Sequence, residues 1–118
     1  MAKKSWKLTA GTSFFDSTVT ASLSDLIAKL GLPDYSDNSG KNKYNFEWVM
    51  ETEKGDVFTI YNWKEYRPIE EDELITWHVG AYNREISDAA ADEINDMLSS
   101  ASAFNMTEWI TKNNKKLF

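Results

Sequence analysis

Tyr44-Asn45-Phe46-Glu47-Trp48-Val49-Met50-Glu51 and Val57-Phe58-Thr59-Ile60-Tyr61-Asn62-Trp63 flank a short polar segment centred on Lys54-Gly55. Both runs are rich in β-branched and aromatic residues, and the glycine tolerates the positive φ of a tight turn. The spacing predicts two antiparallel strands, Tyr44–Glu51 and Val57–Trp63, closed by a two-residue turn. In that register Phe46 faces Trp63, Trp48 faces Tyr61 and Met50 faces Thr59 on one side. Val49 faces Ile60 on the other, flanked by Glu51/Phe58 and Glu47/Asn62. A three-residue turn would slip the register and reverse the buried side. Both faces are partly apolar, whereas a small sheet needs only one for its core. The second face is expected to meet a helix, another subunit or a ligand.

Working outward, Leu74–Ala81 reads as a third strand of this group. Ile75, Trp77 and Val79 share one face, and Thr76, His78 and Gly80 the other. Upstream, Ser5–Ala10 and Thr12–Thr20 read as strands. Ser22–Leu30 reads as a helix. Ser22 is its N-cap, Asp25 lies in its first turn, Leu23, Leu26, Ile27 and Leu30 make its stripe, and Gly31 and Pro33 end it. Asp34–Lys43 is a polar loop, and Lys64–Glu73 a charged connection containing Pro68. Ser87 is read as the cap of a second helix reaching about Ala101, with Ala90, Ile94, Met97, Leu98 and Ala101 at helical spacing. Thr107–Lys112 reads as a short third helix anchored by Trp109. The basic ends, about 1–4 and 113–118, are expected to fray. The order implies a single α+β domain over 1–118, a small antiparallel sheet of four to five strands with two helices packed on it.

Composition narrows the function. Cysteine is absent, which excludes disulfides and thiolate metal sites. No apolar run approaches the roughly 18 residues that span a bilayer. The basic start Met1–Lys7 lacks an apolar signal core. These features predict a soluble protein of the cytoplasm. The formal net charge is −6, yet Leu8–Thr111 holds all 19 Asp/Glu against seven Lys/Arg, a balance of −12. Such a body argues against duplex DNA binding, because phosphate contacts need a basic surface. It serves solubility. It also leaves open an acidic protein-binding inhibitor that imitates nucleic acid in the groove of a host enzyme.

Few residues carry catalytic promise. His78 is the only histidine, no Gly-x-Ser-x-Gly elbow is present, and one imidazole falls short of a zinc site. Glu70-Glu71-Asp72-Glu73 lacks a calcium-loop pattern and reads as a solvated charge run. No catalytic residue, metal or cofactor is expected. Gly80-Ala81-Tyr82-Asn83-Arg84 joins a strand to a helix, where free N–H groups and the Arg84 fork suit a phosphate. Glu85 and Asp88 oppose an anion there, and an ordinary connection explains the same residues. Trp63-Lys64-Glu65-Tyr66-Arg67 places two rings and two cations within five residues. Rings stack on nucleobases at about 1–3 kcal/mol per base. Packing of Trp63 and Tyr66 into a core or interface is the competing explanation.

Phe46-Glu47-Trp48, Val57–Tyr66 and Trp77-His78-Val79-Gly80-Ala81 resemble a pattern in small phage proteins: a Glu-Trp strand, then Thr-Ile-Tyr-Asp-Trp-Lys, then Trp-His-Ile-Gly-Gly. Leu26–Pro33 is similar to the segment preceding that pattern. The likeness covers roughly residues 14–100. It extends to the phage sponge proteins that sequester the cyclic nucleotide signals of the bacterial CBASS defence. That resemblance implies a homo-oligomer, a tetramer, in the host cytoplasm, binding a cyclic dinucleotide without cleaving it. It would carry over to Tyr61, Trp63, Lys64, His78 and Gly80. Asn62 stands where many such proteins have Asp, and Ala81 where Gly is frequent. Together the residues and the resemblance nominate Tyr61, Trp63, Lys64, Tyr66, Arg67, His78, Gly80, Asn83 and Arg84 as ligand-binding.

Overall fold

A computed structural model describes residues 1–99. Its elements are β1 (Lys3–Lys4), β2 (Ser13–Ser22), α1 (Leu23–Leu30), β3 (Tyr35–Ser36), β4 (Phe46–Glu51), β5 (Val57–Tyr61) and β6 (Leu74–Ala81). A second helix, α2, runs over residues 84–99. The strands form one antiparallel sheet in the order β1-β4-β5-β6-β2, with β3 also paired to β4. Both helices contribute to one hydrophobic core with the sheet. This is the expected small α+β arrangement, with two extra two-residue strands at the β4 edge.

The hairpin register differs from the two-residue expectation. Glu47 pairs with Tyr61, Trp48 with Ile60 and Met50 with Phe58. The turn has three residues. The Thr52 amide donates to Asp56 O and the Gly55 amide to Thr52 O, each at 2.8 Å, and Gly55 has φ 89°. One extra loop residue moves every partner by one position, and a side-chain period of two turns that shift into a change of face. Trp48 therefore shares its side with Ile60, and Tyr61 lies on the other.

The core follows from this register. Trp48, Phe58, Ile60, Trp77 and Val79 meet Leu26 and Leu30 of α1 and Ala90 and Ile94 of α2. The Trp48 and Trp77 rings meet edge to face, centroids 5.5 Å apart. A buried indole N–H needs an acceptor. Trp48 Nε1 donates to Gly31 O and Trp77 Nε1 to Ala21 O, both at 2.9 Å. Complete burial of such a side chain contributes about 1.5–3 kcal/mol.

α1 starts and stops as its sequence signals. Ser22 Oγ accepts from the Asp25 amide at 3.1 Å, and Gly31, at φ 85°, donates back to Ile27 O. α2 starts earlier than expected. Asn83 Oδ1 accepts from the Ile86 amide at 2.8 Å, so Asn83 is the cap. Ser87 lies inside the helix, fully buried, and its hydroxyl donates to Val79 O at 3.3 Å.

Ser5–Ala10 is not a strand. Lys3 and Lys4 pair with Glu51 and Met50, Ser5 N donates to Val49 O, and pairing then stops. The next β4 donor, Val49 N, is taken by Asp34 Oδ2 at 2.7 Å, and β3 occupies the edge beyond it. The edge is full, so the chain turns away with Trp6 and Leu8 exposed. Residues 1–4, expected to fray, include this pairing and a buried Ala2. The loop expected over Asp34–Lys43 contains β3, and the strands expected at Tyr44–Glu51 and Val57–Trp63 begin at Phe46 and end at Tyr61. The Ala101 helix end, the Thr107–Lys112 helix and the 113–118 tail lie outside the described residues.

Candidate functional site

The pleat sends alternate residues of β4, β5 and β6 away from the helices. Glu47, Val49, Thr59, Tyr61, His78 and Gly80 share that outer face. β2 adds Phe14 opposite Gly80 and, at the next registered pair, Thr18 opposite His78. Residues 15–17 thus bulge against Val79, and Asp16 takes φ 70°. Beside this bulge the Phe14 ring lies flat on His78, centroids 3.9 Å apart and planes 7° apart.

Rings continue across the face. His78 meets Tyr61 at 5.6 Å and Trp63 at 6.5 Å. Tyr61 meets Trp63 at 6.0 Å and Tyr44 at 6.3 Å, and Tyr44 meets Tyr35 at 4.9 Å. Tyr44, Tyr61 and Trp63 wall a cleft of about 210 Å³, with Glu47, Thr59 and Gly80 also lining it. Trp63 keeps 39% of its surface exposed, so it is a wall and not a core residue. Two ammonium groups approach its ring, Lys43 Nζ at 5.9 Å and Lys64 Nζ at 5.6 Å from the centroid. Such cation–π contacts favour a fixed position for each charge.

Gly80 is required by close approach. A Cβ there would stand 2.7 Å from Thr59 Oγ1 and 3.4 Å from Tyr61 Cε1. The segment carrying Trp63 and Lys64 is clamped by asparagines. Asn62 Oδ1 accepts from the amides of Asn45 at 2.7 Å and Phe46 at 3.1 Å, and Asn62 Nδ2 donates to Asn45 Oδ1 at 3.1 Å. Asn45 Nδ2 donates to Asn38 Oδ1 and Arg67 O, each at 2.8 Å. Asn38 in turn bonds both backbone groups of Ile69. This anchoring sustains positive φ at Lys64 (55°) and Tyr66 (51°), conformations that cost about 1–3 kcal/mol each in non-glycine residues.

Electrostatics differ between the depth and the rim. Burial, and then the Asp34 charge, raise the Glu47 carboxyl above its ordinary value. Burial, and then Glu47, raise the Tyr61 phenol; Tyr44 is raised by burial, Glu47 and Tyr35. Burial lowers His78, with Asp16 opposing, so its ring is neutral at neutral pH and stacks as a flat aromatic surface.

Five of the nominated residues come together: Tyr61, Trp63, Lys64, His78 and Gly80. Four do not join them. Tyr66 is exposed on the following turn. Arg67 spends both guanidinium nitrogens on Glu73, with Glu65 alongside, so its fork is filled by carboxylates rather than turned to a ligand phosphate. Asn83 is committed to capping α2. Arg84 sits 3.9 Å from Asp16 outside the cleft. Residues the sequence did not single out also belong here: Phe14, Tyr35, Tyr44, Lys43 and Glu47. The signal for Glu47 was its parity with Tyr61, which only the three-residue turn reveals. Asn62 and Ala81, the two departures from the phage pattern, are both buried away from the cleft face.

No protein-family model matches this chain, and no curated protein matches it. Chemically, the face offers stacking surface, two ammoniums at the Trp63 ring and one half-buried carboxylate.

Proposed function

We propose that this chain binds and sequesters a cyclic nucleotide without cleaving it, as a phage-type protein that evades host defence. The observation that carries the reading is the open cleft walled by Tyr44, Tyr61 and Trp63 with Lys43 and Lys64 on the Trp63 ring. A planar base stacks on such rings, and its phosphates are met by the ammoniums. Sequestration needs affinity and copy number and no catalytic group. The resemblance to anti-CBASS sponges adds a homo-oligomer, a tetramer, acting in the host cytoplasm. Calorimetry with a panel of cyclic di- and trinucleotides tests this. Saturable binding and intact ligand released by heat are expected, and uniform absence of binding ends the reading. Light scattering reads the subunit count.

A second reading draws on a cleft of about 260 Å³ between the β4–β5 turn and α2, rimmed by Glu53, Asp56, Glu85 and Glu93. An acidic inhibitor of a host enzyme would present such carboxylates to a basic groove. Pull-down from host lysate in low salt tests it, because screening weakens exposed charge pairs; recovery of no specific partner removes it.

A further inference from the structure

The sequestration reading leaves the identity of the base open, and the residue that addresses it is Glu47. It lines the same cleft as Tyr44, Tyr61, Trp63 and Gly80. Among the described residues no donor reaches its carboxylate: burial and the like charge of Asp34 are what act on it. An ionised carboxylate is an acceptor only, with two oxygens able to take parallel donors. The group is half-buried and its oxygens still reach water, so a ligand that displaces that water must bring donors of its own. The ammoniums that could neutralise it instead lie against the Trp63 ring.

A nucleotide laid in this cleft has its orientation set by those charges. Its phosphates are drawn to Lys43 and Lys64 and repelled by Glu47, since the neighbouring Asp34 carboxylate is already paired with the Lys4 ammonium at 2.8 Å. The base edge then faces the carboxylate. Guanine presents two adjacent donors there, N1–H and the exocyclic amine. Adenine presents one amine beside an acceptor nitrogen, as cytosine does, and uracil one N–H between two carbonyls. Hypoxanthine keeps N1–H and lacks the amine. We propose that Glu47 makes this site selective for a guanine-containing cyclic nucleotide, accepting both donors of the guanine edge on its two carboxylate oxygens. A site built to satisfy such an edge rejects analogues that leave its polar group unpaired.

The test is calorimetry on the full chain with three cyclic dinucleotides, carrying guanine, hypoxanthine or adenine. Wild type should bind the guanine ligand about 10–100-fold more tightly than the adenine one, with hypoxanthine between, as a paired bidentate contact discriminates. Glu47→Gln exchanges one acceptor for a donor, which matches the adenine edge. It should lose at least about tenfold in guanine affinity and hold or gain adenine affinity, because Gln pairs bidentately with adenine-type edges. Glu47→Asp keeps the charge and withdraws it, so affinity should fall while guanine stays preferred. Circular dichroism confirms that both variants are folded. Equal binding of all three ligands by wild type, or a guanine preference kept by Glu47→Gln, overturns the role of Glu47 and leaves sequestration standing. Failure of all three to bind wild type removes sequestration and this inference with it.

Discussion

Gly80→Ala puts a methyl group where Thr59 Oγ1 lies only 2.7 Å from the new Cβ, and Tyr61 Cε1 only 3.4 Å away. Gly80 has no positive φ, so alanine would by itself stabilise by about 0.4–1 kcal/mol through the unfolded chain. The contact decides the sign. Thr59 is 4% exposed and β-branched, so its hydroxyl cannot swing aside as a long side chain would. Overpacking of this kind costs about 1–3 kcal/mol. The net effect should be a loss of about 1–2 kcal/mol, which lowers Tm by on the order of 5–10 °C. Because Thr59, Tyr61 and Gly80 all line the cleft, the displacement should also weaken nucleotide binding. Thr59→Ala removes the obstructing oxygen. The double variant should therefore be more stable than the sum of the single effects allows, by about 1 kcal/mol or more. Urea unfolding of the four proteins measures this coupling. A Gly80→Ala protein as stable as wild type, or additive single effects, would falsify the close-approach account of Gly80.

Trp63→Ala should reduce cyclic nucleotide affinity by about 1–3 kcal/mol, the worth of one stacked base, while urea stability changes by less than about 1 kcal/mol because the ring is already partly in water; an equal loss of both would make Trp63 a structural residue. Asn62→Ala strands the buried amides of Asn45 and Phe46 and should cost about 2–4 kcal/mol at about 1–3 kcal/mol per unsatisfied group; a midpoint in urea unchanged from wild type would refute the clamp. The Glu47 carboxyl, raised by burial and then Asp34, binds its proton more tightly folded than unfolded. Its contribution to stability is thus complete below the ordinary carboxylate range and is lost as pH rises through its raised value. Glu47→Gln should accordingly gain about 0.5 kcal/mol at neutral pH, a small figure because the group is partly solvated, and that gain should vanish in acid; melting curves across pH in which the two proteins stay parallel would contradict it.

Local signals made much of this chain readable. Alternation in Leu74–Ala81 puts His78 and Gly80 on one side and Trp77 and Val79 on the other whatever pairs with them. Ser22, the leucine stripe and Gly31 delimit α1, because capping and helical periodicity act within a few residues. The hairpin was legible as two strands, and the clustering of Trp63 with Lys64 follows from adjacency. Other parts were opaque. Arg67 reads as a free cation until its segment folds back on Glu73, and Phe14 gains its partner His78 only through pairing across 64 residues and a bulge.

Amino-acid order alone determined the α+β class, the principal strand segments, α1 and an excess of rings, since these depend on neighbours along the chain. Tertiary structure decided which rings face outward, through one additional residue in the Thr52–Asp56 turn. It also decided that Glu47 joins Tyr61 in the cleft, that Asn83 caps α2, and that Asp34 and β3 close the edge of β4. Those choices are settled by burial between distant segments: a strand places its side chains by parity, and parity cannot be read until its partner is in place.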